Sequence, residues 1–130
     1  MARILVVEDI SAVREFVSRA LNHEGHEVTV ADDGLEGLEI LAGGKSFDLL
    51  LTDIVMPGLD GIALALKVTK EYPDTRILLM TGYASERQRA HNLDALIHRV
   101  ISKPFTLDQI CRAVHEVLAD RPARPGNGAA

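Results

Sequence analysis

Short apolar runs alternate along this chain with stretches of helical spacing about five times. The runs are Ile4-Leu5-Val6-Val7, Leu49-Leu50-Leu51, Ile77-Leu78-Leu79-Met80 and Val100-Ile101, with a shorter one at Val28 to Ala31. Runs this short and this continuous suit strands covered on both faces, and strands alternating with helical patterns predict a parallel sheet between two helical layers. Strands are expected over residues 3–7, 28–31, 47–52, 76–80 and 98–102. A first helix follows Ser11 with Val13, Phe16, Val17, Ala20 and Leu21 on one face, ending near Gly25. A second, with Leu35, Leu38 and Leu41, follows the turn Asp32-Asp33-Gly34 and stops at Gly43-Gly44.

Met56-Pro57-Gly58 forces a loop before Ile62, Leu66 and Thr69 resume helical spacing, and Pro73-Asp74 closes that helix. Residues 85–96 carry little apolar stripe, so a short or weakly anchored helix is expected there. Thr106-Leu107-Asp108-Gln109 reads as a capping box that opens a last helix with Leu107, Ile110, Val114, Val117 and Leu118 inward. After Asp120 the sequence turns to Arg, Pro, Gly and Ala. The organisation expected is one α/β domain over residues 1–119 and a flexible tail over 120–130.

Composition narrows the function classes. An apolar content of 47% with 25% charged residues fits a folded globular domain. The net charge of -5 argues against general nucleic-acid affinity. No apolar stretch is long enough for a membrane helix, and Glu8 arrives too early for a secretory signal. Cys111 is the single cysteine, so a reducing cytoplasm is the expected compartment and Cys111 itself reads as a core or boundary thiol. The five histidines are scattered without the pairing of a zinc site.

The chemistry lies where the apolar runs end. Glu8-Asp9, Asp53, Thr81 and Lys103 directly follow the first, third, fourth and fifth predicted strands. In a parallel sheet these four ends share the carboxyl edge, where open α/β sheets build their sites. Two carboxylates about 5 Å apart repel by on the order of 3 kcal/mol at an effective dielectric near 20. A cluster of Glu8, Asp9 and Asp53 therefore calls for a hard divalent cation, Mg²⁺ foremost. Asp53, alone at the end of the central strand, is the candidate phosphoryl acceptor, with Lys103 and Thr81 placed to meet phosphoryl oxygens. Each anchor taken singly has a plainer reading as a helix cap or turn residue; their joint order does not.

These residues resemble a family. Val6-Val7-Glu8-Asp9, the run from Leu51 through Asp53, Met56-Pro57-Gly58 and Asp60-Gly61, then Thr81-Gly82 and Lys103-Pro104-Phe105 are similar to the receiver domain of bacterial two-component response regulators. The resemblance implies a CheY-like, flavodoxin-like doubly wound fold, a five-stranded parallel sheet in the order 2-1-3-4-5 with five helices. It implies phosphoryl transfer to Asp53 from a histidine kinase or histidine phosphotransferase. It also implies Mg²⁺ held by Glu8, Asp9, Asp53 and the main-chain carbonyl of Val55, phosphoryl contacts from Thr81 and Lys103, and a cis peptide bond at Pro104. Such a chain is a signalling phosphoacceptor and not an enzyme acting on outside substrates. A phosphohydrolase of the haloacid-dehalogenase type would need a second Asp two residues after the nucleophile, where this chain has Val55.

The sequence departs from the common receiver pattern at Val100, where an aromatic switch residue is usual. Tyr83 is the nearby aromatic, with two readings open: a substitute reporter of phosphorylation, or a packed loop residue. Leu79-Met80-Thr81-Gly82-Tyr83-Ala84, residues 87–92 and Ile101-Ser102-Lys103-Pro104-Phe105 resemble the CpdR-type single-domain receivers, a group associated with the ClpXP protease as phosphorylation-controlled adaptors. Output is then expected from the receiver's own surface. Arg87, Arg89, His91, Asn92 and Arg99 make the segment around the fifth strand more basic than the rest, either as a partner face or as a solvated one. Ala129-Ala130 resembles the small apolar tags that ClpX-type unfoldases grip, against the plainer reading of an ordinary chain end. A monomer or weak dimer is expected. The alternative function on the same chemistry is a phosphorelay shuttle or phosphate sink.

Overall fold

The structure is a computed structural model that describes residues 1–82 and 99–119. Its elements run β1 (Arg3–Val7), α1 (Ser11–His23), β2 (Glu27–Ala31), α2 (Gly34–Ala42), β3 (Leu49–Asp53), α3 (Gly61–Glu71), β4 (Arg76–Thr81), β5 (Arg99–Ser102) and α4 (Leu107–Ala119). The strands form one parallel sheet in the order β2-β1-β3-β4-β5. This is the expected CheY-like order. Four helices lie among the described residues; the helix expected over residues 85–96 falls outside them, as does the tail.

Period-two alternation splits the strands between two cores. Leu5, Val7, Leu50, Ile77 and Leu79 face Leu41 of α2 and Leu64, Ala65 and Val68 of α3. Ile4, Val6, Leu49, Leu51, Leu78 and Met80 face Val17, Ala20 and Leu21 of α1 and Ile110, Val114 and Val117 of α4. Both faces of β1, β3 and β4 are thereby buried, which is why their sequences read as unbroken apolar runs.

Three local readings are refined. Phe47 is buried but precedes β3, which starts at Leu49 and extends to Asp53 itself. The intervening Asp48 is engaged with the start of β1: its N–H donates to the Arg3 carbonyl at 2.8 Å and its Oδ2 accepts from the Arg3 N–H at 2.8 Å. Leu107, expected inward, is 46% exposed, because it is the first residue of α4 and overhangs the rim. The capping box beside it forms as read, with Thr106 N–H donating to Gln109 Oε1 at 2.8 Å and Gln109 N–H to Thr106 Oγ1 at 3.1 Å. Phe16 is also partly exposed, its ring 6.4 Å from that of Phe105.

The start of α3 is pressed against the end of β3. Gly61 N–H donates to the Ile54 carbonyl at 2.8 Å, and a Cβ at Gly61 would lie 2.0 Å from the Asp53 carbonyl oxygen. No side chain fits. Gly61→Ala is expected to lower stability by on the order of 2 kcal/mol through overpacking. Urea unfolding of wild type and variant, with unchanged m-values, checks this.

Candidate functional site

Each predicted anchor reaches the carboxyl edge of the sheet by ending a strand or directly following one. β1 ends at Val7, so Glu8 and Asp9 form the turn into α1. Glu8 is fully buried, and its N–H donates to the Ala31 carbonyl at 3.2 Å. Its Oε2 accepts from the Ile10 N–H at 3.1 Å and its Oε1 from Lys103 Nζ at 2.8 Å. β3 ends on Asp53, buried at 6% exposure, whose Oδ1 lies 3.0 Å from the same Lys103 Nζ. One ammonium is shared by two carboxylates.

Asp9 completes the cluster from an exposed position. One carboxylate oxygen from each of Glu8, Asp9 and Asp53 lies within 4.8 Å of the others. The plainer reading of these acids as helix caps does not hold: the N-cap residues of α1, α2 and α3 are Ile10, Asp33 and Asp60. Thr81, 2% exposed, ends β4, and its carbonyl accepts from the Lys103 N–H at 2.7 Å. The backbone thus binds the ends of β4 and β5 together beneath the Lys103 side chain. The Lys103–Pro104 peptide bond is cis.

Val55 sits two residues past Asp53 with a half-exposed side chain. Val100 lies on β5 opposite Leu79 and packs against the core on the α2 and α3 side. Tyr83, Arg87, Arg89, His91 and Asn92 lie outside the described residues, as do Ala129 and Ala130.

Burial raises the Asp53 carboxyl above its ordinary range, the charge of Asp9 adds to the rise, and the hydrogen bond from Lys103 offsets part of it. Burial likewise raises Glu8, with Lys103 and the Ile10 N–H opposing and Asp53 adding. Burial alone would lower Lys103, but its hydrogen bonds to Glu8 and Asp53 outweigh that and raise it. Three carboxylates facing one ammonium remain in excess of negative charge. The donors are all hard carboxylate oxygens, so the site suits an oxygen-ligated divalent cation of the magnesium type rather than zinc.

One contributor went unread in the sequence. Arg14 of α1 donates from Nη1 to the main-chain carbonyl of Glu8 at 2.8 Å and lies 3.2 Å from Asp32 Oδ1. The available signal was weak: a basic residue early in the first helix, and an acid just past the second strand.

Comparison with known proteins agrees with this geometry. The family described as response regulator receiver domain matches residues 4–115. The response regulator receiver protein CpdR of Brucella abortus is 39% identical over 118 residues, covering 91% of this chain and 98% of CpdR. The response regulator MprA of Mycobacterium leprae is 35% identical over 127 residues; the chain spans about half of it, 54%. Among solved structures, a CheY-like receiver domain protein from Methanospirillum hungatei matches with a TM-score of 0.82 and 32% identity, covering 91% of this chain and 94% of that one. The response regulator TrrA of Thermotoga maritima, solved in complex with Mg²⁺-BeF, matches with a TM-score of 0.79 and 32% identity, over 90% and 99% of the two chains.

A raised carboxyl pKa carries a sign. The folded protein binds the Asp53 proton more tightly than the unfolded chain, so stability falls as pH rises through the raised folded value from the ordinary 3.8. At neutral pH, without metal, ionised Asp53 opposes folding. Asp53→Asn is therefore expected to raise the Tm in EDTA at pH 7, with the gain shrinking at pH 4. Thermal scans at the two pH values test it.

Proposed function

The chain belongs to the response regulator receiver domain family, and on that premise we propose that it is a phosphorylation-controlled regulator whose phosphoacceptor is Asp53. The observation that carries the reading is the Lys103 ammonium held 3.0 Å from Asp53 Oδ1 and 2.8 Å from Glu8 Oε1 at the carboxyl edge of the sheet. The donor is a phosphohistidine of a kinase or phosphotransferase. An Asp53 carboxylate oxygen forms the new O–P bond as the P–N bond breaks, and the imidazole leaves with the electron pair of that bond. Phosphoryl transfer asks the protein mainly for position and charge.

In this reading Lys103 meets one phosphoryl oxygen and the Thr81 hydroxyl another, so each contact forms fully only once the phosphoryl has arrived. Glu8, Asp9, Asp53 and the Val55 carbonyl would hold Mg²⁺. The ion, when bound, supplies the positive charge that the three carboxylates lack and that a phosphoryl group brings into greater demand. Val55 offers no acid or base to a hydrolytic water, which favours a signalling role over turnover of outside substrates. Cys111 being the single cysteine supports a reducing, cytoplasmic setting. No described helix is long and apolar enough to cross a membrane.

The finer reading is a CpdR-like adaptor that serves the ClpXP protease when unphosphorylated and is disabled by phosphorylation. Near-complete coverage of CpdR at 39% identity supports it. Phosphorylation would shift a two-state equilibrium of the surface around β5 and α4, with Thr81 as the lever. Val100, Tyr83, Arg87 and Arg89 belong to that proposed face. A phosphorelay shuttle or phosphate sink uses the same site without a protease partner.

Two measurements decide these levels separately. Incubation with a small phosphodonor and Mg²⁺ is expected to add one phosphoryl mass to the intact protein, and Asp53→Asn to add none. A gain that persists in the variant removes the assignment of Asp53. Pull-down with purified ClpX should then retain the unphosphorylated protein and not the phosphorylated one. Retention of the phosphorylated form alone, or equal behaviour of both, removes the adaptor reading and leaves the shuttle reading.

A further inference from the structure

Arg14 touches no group assigned to the phosphoryl or the metal, yet it grips the peptide that joins two of the three acids. Its hydrogen bond goes to the Glu8 carbonyl, at 2.8 Å. That oxygen belongs to the planar unit linking Glu8 to Asp9, so holding it fixes the exit angle of Glu8 and the entry angle of Asp9 together. The other polar groups of Glu8 are also occupied: the N–H by Ala31, Oε1 by Lys103 and Oε2 by the Ile10 N–H. Asp9, exposed, takes its direction from the peptide that Arg14 holds.

The guanidinium is itself anchored on a second turn. Asp32 directly follows β2, the strand paired with β1, and its Oδ1 is 3.2 Å from Arg14 Nη1. The Asp32 turn is fixed in its own right, since its N–H donates to Glu36 and the neighbouring Asp33 caps α2. The Arg14 side chain is 20% exposed against 70% for Asp32. The charge-assisted bond to the carbonyl is therefore the consequential contact, and the ion pair chiefly aims it.

We propose that Arg14 is a positioning residue for the acidic cluster, fixing the Glu8–Asp9 peptide in the geometry that lets both carboxylates act on one divalent cation. It rests on the reading of Glu8, Asp9 and Asp53 as that cation's ligands. Outer partners that orient ligands govern affinity in metal sites generally. Electrostatics alone predicts the opposite sign, because removing a nearby positive charge should strengthen cation binding.

Mn²⁺ serves as the probe, its free-ion resonance followed by electron paramagnetic resonance during titration, with Mg²⁺ as competitor. Arg14→Ala is expected to weaken Mn²⁺ binding on the order of 10-fold, Arg14→Lys to recover part of the loss, and Asp32→Asn to fall between wild type and Arg14→Ala. Far-UV circular dichroism and Tm are recorded for each variant, and the Lys and Asn variants carry the test should Arg14→Ala fold poorly. Unchanged or tighter binding in folded variants overturns the proposal, whatever happens to Tm. A wild type that binds neither ion removes this proposal together with the metal-site reading; wild-type binding with insensitive variants removes this one alone.

Discussion

A single ammonium shared between two buried carboxylates is the contact on which the rest of this edge depends. Glu8 and Asp53 arrive from neighbouring strands, β1 and β3, while Lys103 comes from beyond β5, two strands away from β3. The side chain must therefore reach across the end of β4. The bond from the Lys103 N–H to the Thr81 carbonyl holds its backbone where that reach is possible. Burying two carboxylates without a counter-charge would be costly, and a lysine this enclosed is tolerated because both acids receive it. The sheet order, the parallel register and the turn geometry all converge on that requirement.

The remaining charge imbalance is what makes the site chemically useful. A fully neutralised cluster would be inert packing. Here the acids outnumber the cation, with Glu8 and Asp53 raised by burial and Lys103 raised by their contact. Among the described residues no buried side-chain polar atom lacks a partner. The imbalance is thus one of charge and not of hydrogen bonding, which is a condition a bound cation can relieve without rebuilding the fold.

Much of this was legible in the sequence, for identifiable reasons. The strands of β1, β3 and β4 announced themselves because both faces are covered, leaving no polar position to blur the run. The site anchors were legible because a parallel sheet brings all its strand ends to one edge, so position along the chain was enough. Strand and helix limits were less so. Phe47 read as strand since burial and strand look alike in an apolar run, and Leu107 read as core since helical period ignores the overhang of a first turn. Arg14 was illegible: its partners are a main-chain carbonyl and an acid on another turn, joined only once β2 lies beside β1. That Lys103 binds Glu8 as well as Asp53 was hidden for the same reason.

The contact between Gly61 and the Asp53 carbonyl reaches beyond local packing. With Gly61 N–H bonded to Ile54 and Ile54 N–H bonded to Met80, the loop from β3 to α3 is sewn shut at its base. β3 and the helix behind it are therefore joined at the base of the loop, and added residues there would have to unpick those bonds. The turn at Gly43-Gly44 is open at its second glycine, with nothing within 4 Å of a Cβ at Gly44, whereas a Cβ at Gly43 would lie 3.2 Å from the Ile40 carbonyl oxygen. An engineer wishing to insert a peptide or open new chain ends in this domain would find room there, on the side of the sheet away from the chemistry.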